Sequence, residues 1–166
     1  MTRLVDHDAR VHALATFDRN LLVEAGAGSG KTALLAGRIA LLLASGVAPA
    51  NVAAITFTEL AAAELAERVQ RFVHQLLADE VDVALRPALP DGLTPEQREH
   101  LTAAAERLDD LTCTTIHGFA HDLIRPYPSE ADVDPGARVL DPEAAELLRA
   151  DVFRDWLHTR LGADGD

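Results

Sequence analysis

The sequence has one cysteine, Cys113, one lysine, Lys31, and few aromatic residues, which make up 4 % of its 166 positions. A lone cysteine excludes an internal disulfide, so stability has to come from packing. Long apolar runs are missing too: the longest, near Ile39 to Ala44, is far short of the roughly 20 residues that a membrane-spanning helix requires. Nor does the N-terminus show a basic segment followed by an uninterrupted apolar stretch, so the expectation is a cytoplasmic protein with no membrane segment. Positive charge is also scarce. Lys and Arg number 15 against 27 Asp and Glu, for a net charge of −12, which makes the surface as a whole a poor nonspecific attractor for nucleic acid. Any contact with a polyanion has to be local.

What is present is 48 % apolar sequence, enough for a packed core. No repeat or low-complexity tail interrupts an alternation of strand-like and helix-like segments, which reads as α/β with parallel strands. A first helix is expected over Asp8 to Phe17, followed by a short buried strand at Leu21-Leu22-Val23 that enters a Gly-rich turn. Leu34, Leu35, Ile39, Leu42 and Leu43 have helical spacing, and Ser45-Gly46 can end that helix with a left-handed glycine. Val52 to Thr56 predicts a second strand. Leu65, Val69, Phe72, Val73 and Leu76 form the stripe of a long amphipathic helix over Leu60 to Leu77, with Glu64 and Arg68 as an exposed ion pair. Asp79 to Gly92 reads as a loop or small insertion. Thr94-Pro95-Glu96-Gln97 has the form of a capping box opening a helix to about Leu108. Leu111 to Thr115 predicts a third strand, Ile116 to Arg125 a short helix, and Asp141-Pro142 the start of a last helix through Trp156.

Chemistry concentrates at Ala25-Gly26-Ala27-Gly28-Ser29-Gly30-Lys31-Thr32, a Walker A pattern with alanine at its first fixed position. Gly26, Gly28 and Gly30 allow the backbone to turn its N–H groups inward, and the following helix adds its positive dipole end, so a β-phosphate finds a nest of donors. Lys31 is the candidate for the β- and γ-phosphates and Thr32 for the Mg²⁺ ligand, which makes them the candidate catalytic residues and ATP with Mg²⁺ the expected cofactors. A chain that uses arginine at every other cationic position keeps an ammonium at the one place that needs a compact, rotatable point charge.

Phosphate loops serve many reactions, and the next two segments narrow the choice. Ala54-Ile55-Thr56-Phe57-Thr58-Glu59-Leu60-Ala61-Ala62-Ala63-Glu64-Leu65 resembles motif Ia of superfamily-one DNA helicases. Thr115-Ile116-His117-Gly118-Phe119-Ala120, continuing through Arg125 to Val139-Leu140-Asp141, resembles motif Ib and its sequel. With Leu22-Val23-Glu24-Ala25 leading into the loop, the three blocks stand in family order and look most like the UvrD/RecB/AddA branch. The resemblance implies a P-loop (RecA-like) parallel sheet flanked by helices, incomplete relative to a full motor domain. Residues 1–125 would form the N-terminal part of the first RecA-like domain, with 79–110 as a loop-plus-helix insertion and 126–166 as the start of a helical subdomain. It further implies single-stranded DNA as partner in repair or recombination. Thr56 and Thr58 would bond phosphates, Phe57 could lie against a base, and Thr115 and His117 would contact the next nucleotides.

Departures from the family pattern qualify this expectation. The first-helix glutamine that reads adenine is replaced by Arg10, an arginine near the base by Ala33, and a basic residue of motif Ia by Leu60. No Asp-Glu pair follows an apolar strand, so Walker B and the later arginines are not found. The expectation is an N-terminal portion of a motor that does not hydrolyse ATP alone, with an unpaired sheet edge and marginal stability unless joined to further polypeptide or to a second protein. Two alternatives stay open: a stand-alone accessory protein that binds nucleotide and single strands without motor activity, and an unrelated P-loop kinase or NTPase.

Overall fold

The computed structural model describes residues 6–162 except 135 and 138. Residues up to His121 form one compact unit and those from Asp122 a second. In the first unit, α1 (His7–Ala15) and α2 (Lys31–Ala44) precede strand β1 (Ala53–Thr56), α3 (Glu59–Leu77), α4 (Pro95–Ala105), strand β2 (Thr112–Thr115) and the start of α5 (Ile116–Ile124). The strands pair in parallel, with Ala53 opposite Thr112 and Thr56 opposite Thr115, giving a small parallel sheet flanked by helices. A parallel pair needs a crossover long enough to return to the same edge, and α3 and α4 supply it.

Helix α2 is the hub, packing against α1, α3 and α4. Its apolar stripe buries Ile39 and Leu43 among Leu14 of α1, Leu65, Val69, Phe72, Val73 and Leu76 of α3, and Leu101 of α4. It stops at a Schellman turn: Gly46 adopts φ +98°, its N–H donating to the Leu43 carbonyl and that of Val47 to Leu42. Helix α3 ends the same way on a residue less suited to it. Asp79 takes φ +62°, with the Glu80 amide on the Gln75 carbonyl at 2.8 Å, while Arg98 of α4 pairs with its carboxylate and caps the Leu77 carbonyl at 2.8 Å. The 79–92 stretch is therefore ordered against the core, where Leu85 and Leu89 are buried.

The capping box is formed in full. The Gln97 amide donates to Thr94 Oγ1 at 3.2 Å and the Thr94 amide to Gln97 Oε1 at 3.0 Å. Thr94→Ala is expected to destabilise the chain by about 1 kcal/mol, because Leu101 and Ala104 transmit the fraying of α4 to the core. Urea unfolding checks this; an unchanged midpoint would show that packing alone holds α4.

Four expectations are corrected. Leu21-Leu22-Val23 joins no ladder among the described residues, and Leu22 is 88 % exposed, because a parallel strand exists only where a neighbour supplies hydrogen bonds. Glu64 and Arg68 do not pair; the Arg68 Nε is buried without a hydrogen-bond partner. Helix α4 stops at Ala105 before a 3₁₀ turn at Leu108–Asp110. In the second unit the last helix, α6 (Pro142–Gly162), runs past Trp156, started by an Asp141 carboxylate that accepts the Ala144 amide at 2.8 Å. No helix among the described residues is long and apolar enough to cross a membrane.

Candidate functional site

The turn at Ala25 to Gly30 is shaped by its glycines and by one carbonyl. Gly28 and Gly30 take φ +75° and +86°, values at which a side chain would be strained, and a Cβ at Gly26 or Gly28 would meet only open space. The Gly26 carbonyl accepts three donors: the Ser29 amide at 3.3 Å, the Ser29 hydroxyl at 2.7 Å and the Lys31 ammonium at 2.7 Å. Lys31 also donates to the Ala25 carbonyl at 2.9 Å, so its charge is centred over the turn with a third N–H to spare. Gly30 is the N-cap of α2, no side chain caps the first turn, and that turn has no acidic residue. The amides of Lys31, Thr32 and Ala33 thus stand as open donors at a positive dipole end. Positive-φ glycines, an ammonium, uncapped amides and the exposed Thr32 hydroxyl make a donor set that fits a phosphate chain with a hard cation.

A cleft of about 300 Å³ runs from Gly30 and Lys31 past Ala13 and Val23 to Asp6 and Arg10 of the first helical segment. Arg10 is the charged residue most involved with the loop. Its Nη2 donates to the Ser29 carbonyl at 3.0 Å, and its Nε donates to Asp6 Oδ2 at 2.8 Å. The Arg10 hydrogen bond lowers the Asp6 carboxyl below the usual aspartate value. The pair's contribution is therefore present above the unfolded aspartate pKa and is lost as pH falls through the lowered folded value, leaving it intact at neutral pH. Sequence reasoning placed Arg10 as a departure from a base-reading pattern and missed its contact with the loop, which lies nineteen residues away.

The second cluster sits at the C-terminal ends of β1 and β2. Register pairing sets Thr56 beside Thr115, so the two segments resembling motifs Ia and Ib emerge at one edge. Phe57 is 90 % exposed, which settles that it is not a core residue. Thr58 is the N-cap of α3, its oxygen accepting the Ala61 amide at 3.1 Å while its own hydrogen has no acceptor among the described residues. His117 is exposed on the first turn of α5.

The other two threonines are spent within the protein. Thr56 donates its hydroxyl to the Thr58 carbonyl at 3.0 Å. Thr115 is 7 % exposed, donates to Glu59 Oε1 at 3.0 Å and accepts the Gly118 amide at 3.1 Å. A hydroxyl has one hydrogen, so neither is free to donate to a phosphate in this arrangement. Expectation gave them phosphate contacts; the structure gives them the work of fixing the Phe57–Thr58 turn and the start of α5. Glu59, which no sequence signal singled out, ties the two segments across the sheet edge.

The comparisons with known proteins agree with this geometry. The family model described as the UvrD/REP helicase N-terminal domain matches residues 7–162. The chain is 38 % identical over 155 residues to an ATP-dependent helicase/nuclease of the AddA type from Desulforamulus reducens, covering 92 % of this chain and 11 % of that protein. It is 33 % identical over 157 residues to the protein of the same name from Enterococcus faecalis, covering 95 % of this chain and 12 % of that one. The chain thus spans about a tenth of the length of these relatives. A glycine turn on the N-terminus of α2, an edge carrying both motif segments and a family match over nearly every residue lead to one conclusion: the chain belongs to the UvrD/REP helicase N-terminal domain family.

Proposed function

We propose that this chain is the ATP-binding, single-strand-contacting N-terminal part of an ATP-dependent DNA helicase that acts in the cytoplasm in repair or recombination. The observation that supports this most is the joint presence of the Lys31 phosphate turn and the Phe57–Thr58 edge in one small unit. Ala25, Gly26, Ala27, Gly28, Ser29 and Gly30 wrap the phosphates, Lys31 pairs with them and Thr32 ligates Mg²⁺, which would neutralise the phosphate charge. On the DNA side Phe57 stacks on a base, while Thr58, the first amides of α3 and His117 meet the backbone. Such a track tolerates any sequence and needs no basic patch, consistent with the net charge of −12.

Residues 1–125 act as the start of a RecA-like motor domain and 126–166 as the start of a helical subdomain. Hydrolysis belongs to the joined polypeptide: Asp79-Glu80 closes helix α3 and follows no strand, so it cannot serve as a Walker B pair.

The test is titration of this chain with a fluorescent ATP analogue and a labelled single-stranded oligonucleotide. Both are expected to bind, and Phe57→Ala is expected to weaken the oligonucleotide about tenfold, the loss of roughly one stacked base, with ATP affinity unchanged. Equal oligonucleotide affinity in the variant would overturn the strand-edge assignment, and absence of ATP binding would overturn the whole reading.

A further inference from the structure

We infer that Arg10, anchored by Asp6, is a positioning residue that holds the Ser29–Gly30 peptide with its carbonyl turned outward and its N–H turned into the phosphate cradle. This rests on the nucleotide reading above. In a trans peptide the carbonyl and the following N–H point in opposite directions, so whatever fixes the Ser29 oxygen also aims the Gly30 donor. Gly30 itself exerts little control, since at φ +86° it sits in a region that glycine enters and leaves at small cost. The restraint comes from outside the turn.

Arg10 Nη2 reaches the Ser29 carbonyl at 3.0 Å, and Nη1 would lie 3.8 Å from a Cβ at Gly30, so the guanidinium spans that peptide. Asp6 holds the other edge, accepting Nε at 2.8 Å and Nη2 at 2.7 Å. The Arg10 side chain is only 26 % exposed. Helix α1 is itself fixed to α2 beyond this point: Arg38 Nη1 donates to the Ala13 carbonyl at 2.6 Å and lies 5.0 Å over the Phe17 ring. The cradle's aim is thus set by a helix on the other side of the cleft, and a donor aimed in advance needs no reorganisation when an anion arrives.

Positioning makes predictions that charge alone and base reading do not. Asp6→Asn removes a negative charge, so simple electrostatics calls for tighter binding of a polyanion, whereas loss of the anchor calls for weaker binding. Both ATP and inorganic tripolyphosphate, which has no base, are to be titrated into this chain and its Asp6→Asn, Arg10→Lys and Arg10→Ala variants, with unfolding temperature as the check on folding. The expected result is a loss of about tenfold for both ligands in Arg10→Ala and a smaller loss for both in Asp6→Asn and Arg10→Lys, with the Gly30 amide NMR resonance displaced in each. Loss for ATP with tripolyphosphate unaffected would make Arg10 a base contact and overturn the inference. Tighter binding in Asp6→Asn would overturn it in favour of charge. If the unsubstituted chain binds neither ligand, the nucleotide reading fails; if it binds both and every variant matches it, only the positioning role fails.

Discussion

Lys31→Ala is expected to abolish measurable ATP binding while leaving the fold as it is. The ammonium contributes two or more charge-assisted hydrogen bonds to a polyphosphate, each worth roughly 1.5–3 kcal/mol, so its removal costs on the order of 3 kcal/mol or more, beyond a hundredfold in affinity. Nothing in the fold depends on it to that degree. Lys31 is exposed, and its partners are the Ala25 and Gly26 carbonyls of the same turn, which water can satisfy. The unfolding midpoint should therefore stay within about 0.5 kcal/mol of the parent. Lys31→Arg is the sharper control. A planar fork cannot fold over the Gly26 carbonyl as an ammonium does, so retained charge should not restore affinity. Calorimetric titration with ATP and Mg²⁺ reads the outcome, and undiminished affinity in Lys31→Ala would remove the basis for the site.

The largest effect on stability is expected from Leu65→Ala. Leu65 is fully buried on α3 where that helix meets α2, in the stripe shared with Val69, Phe72, Val73 and Leu76. Losing its three outer carbons costs about 2 kcal/mol in transfer free energy, and the cavity left between two helices that cannot collapse raises the total to roughly 3–4 kcal/mol. Against the roughly 5–15 kcal/mol that holds an ordinary domain together, this is enough to leave much of a small unit unfolded at physiological temperature. Leu60→Ala, five residues away on the same helix but 71 % exposed, should move the urea midpoint by no more than about 0.5 kcal/mol. Equal shifts for the two variants would mean that the buried stripe does not carry the fold.

The sequence was a good guide where a feature is built from neighbours in the chain. The stripe of α3, the reciprocal cap at Thr94 and Gln97, the left-handed stop at Gly46 and the glycine turn before Lys31 all depend on spacings of a few residues, and all are found as their residue types imply. The misses share a different cause. Whether Leu21-Leu22-Val23 forms a strand depends on a hydrogen-bonding neighbour that no local pattern can supply. Arg10 reaches Ser29 across nineteen residues and Thr115 reaches Glu59 across 56, so neither contact leaves a trace in a window of helical or strand period. Within the candidate site, residue types identified the donors of the phosphate turn, but only the geometry separates Thr58, whose hydrogen is unspent, from Thr56 and Thr115, whose hydrogens are not.

The parallel ladder between β1 and β2 also sets an order of assembly. The bonds that shape the phosphate turn span six residues or fewer, whereas Ala53 meets Thr112 only after α3 and α4 have been made and brought together. Closing so long a loop costs entropy before any contact repays it, and such pairings form late. On a ribosome, where the chain emerges N-terminus first, the turn around Lys31 becomes geometrically possible well before Thr115 has been synthesised. The nascent protein passes through a stage in which a nucleotide could find its place and a DNA strand could not.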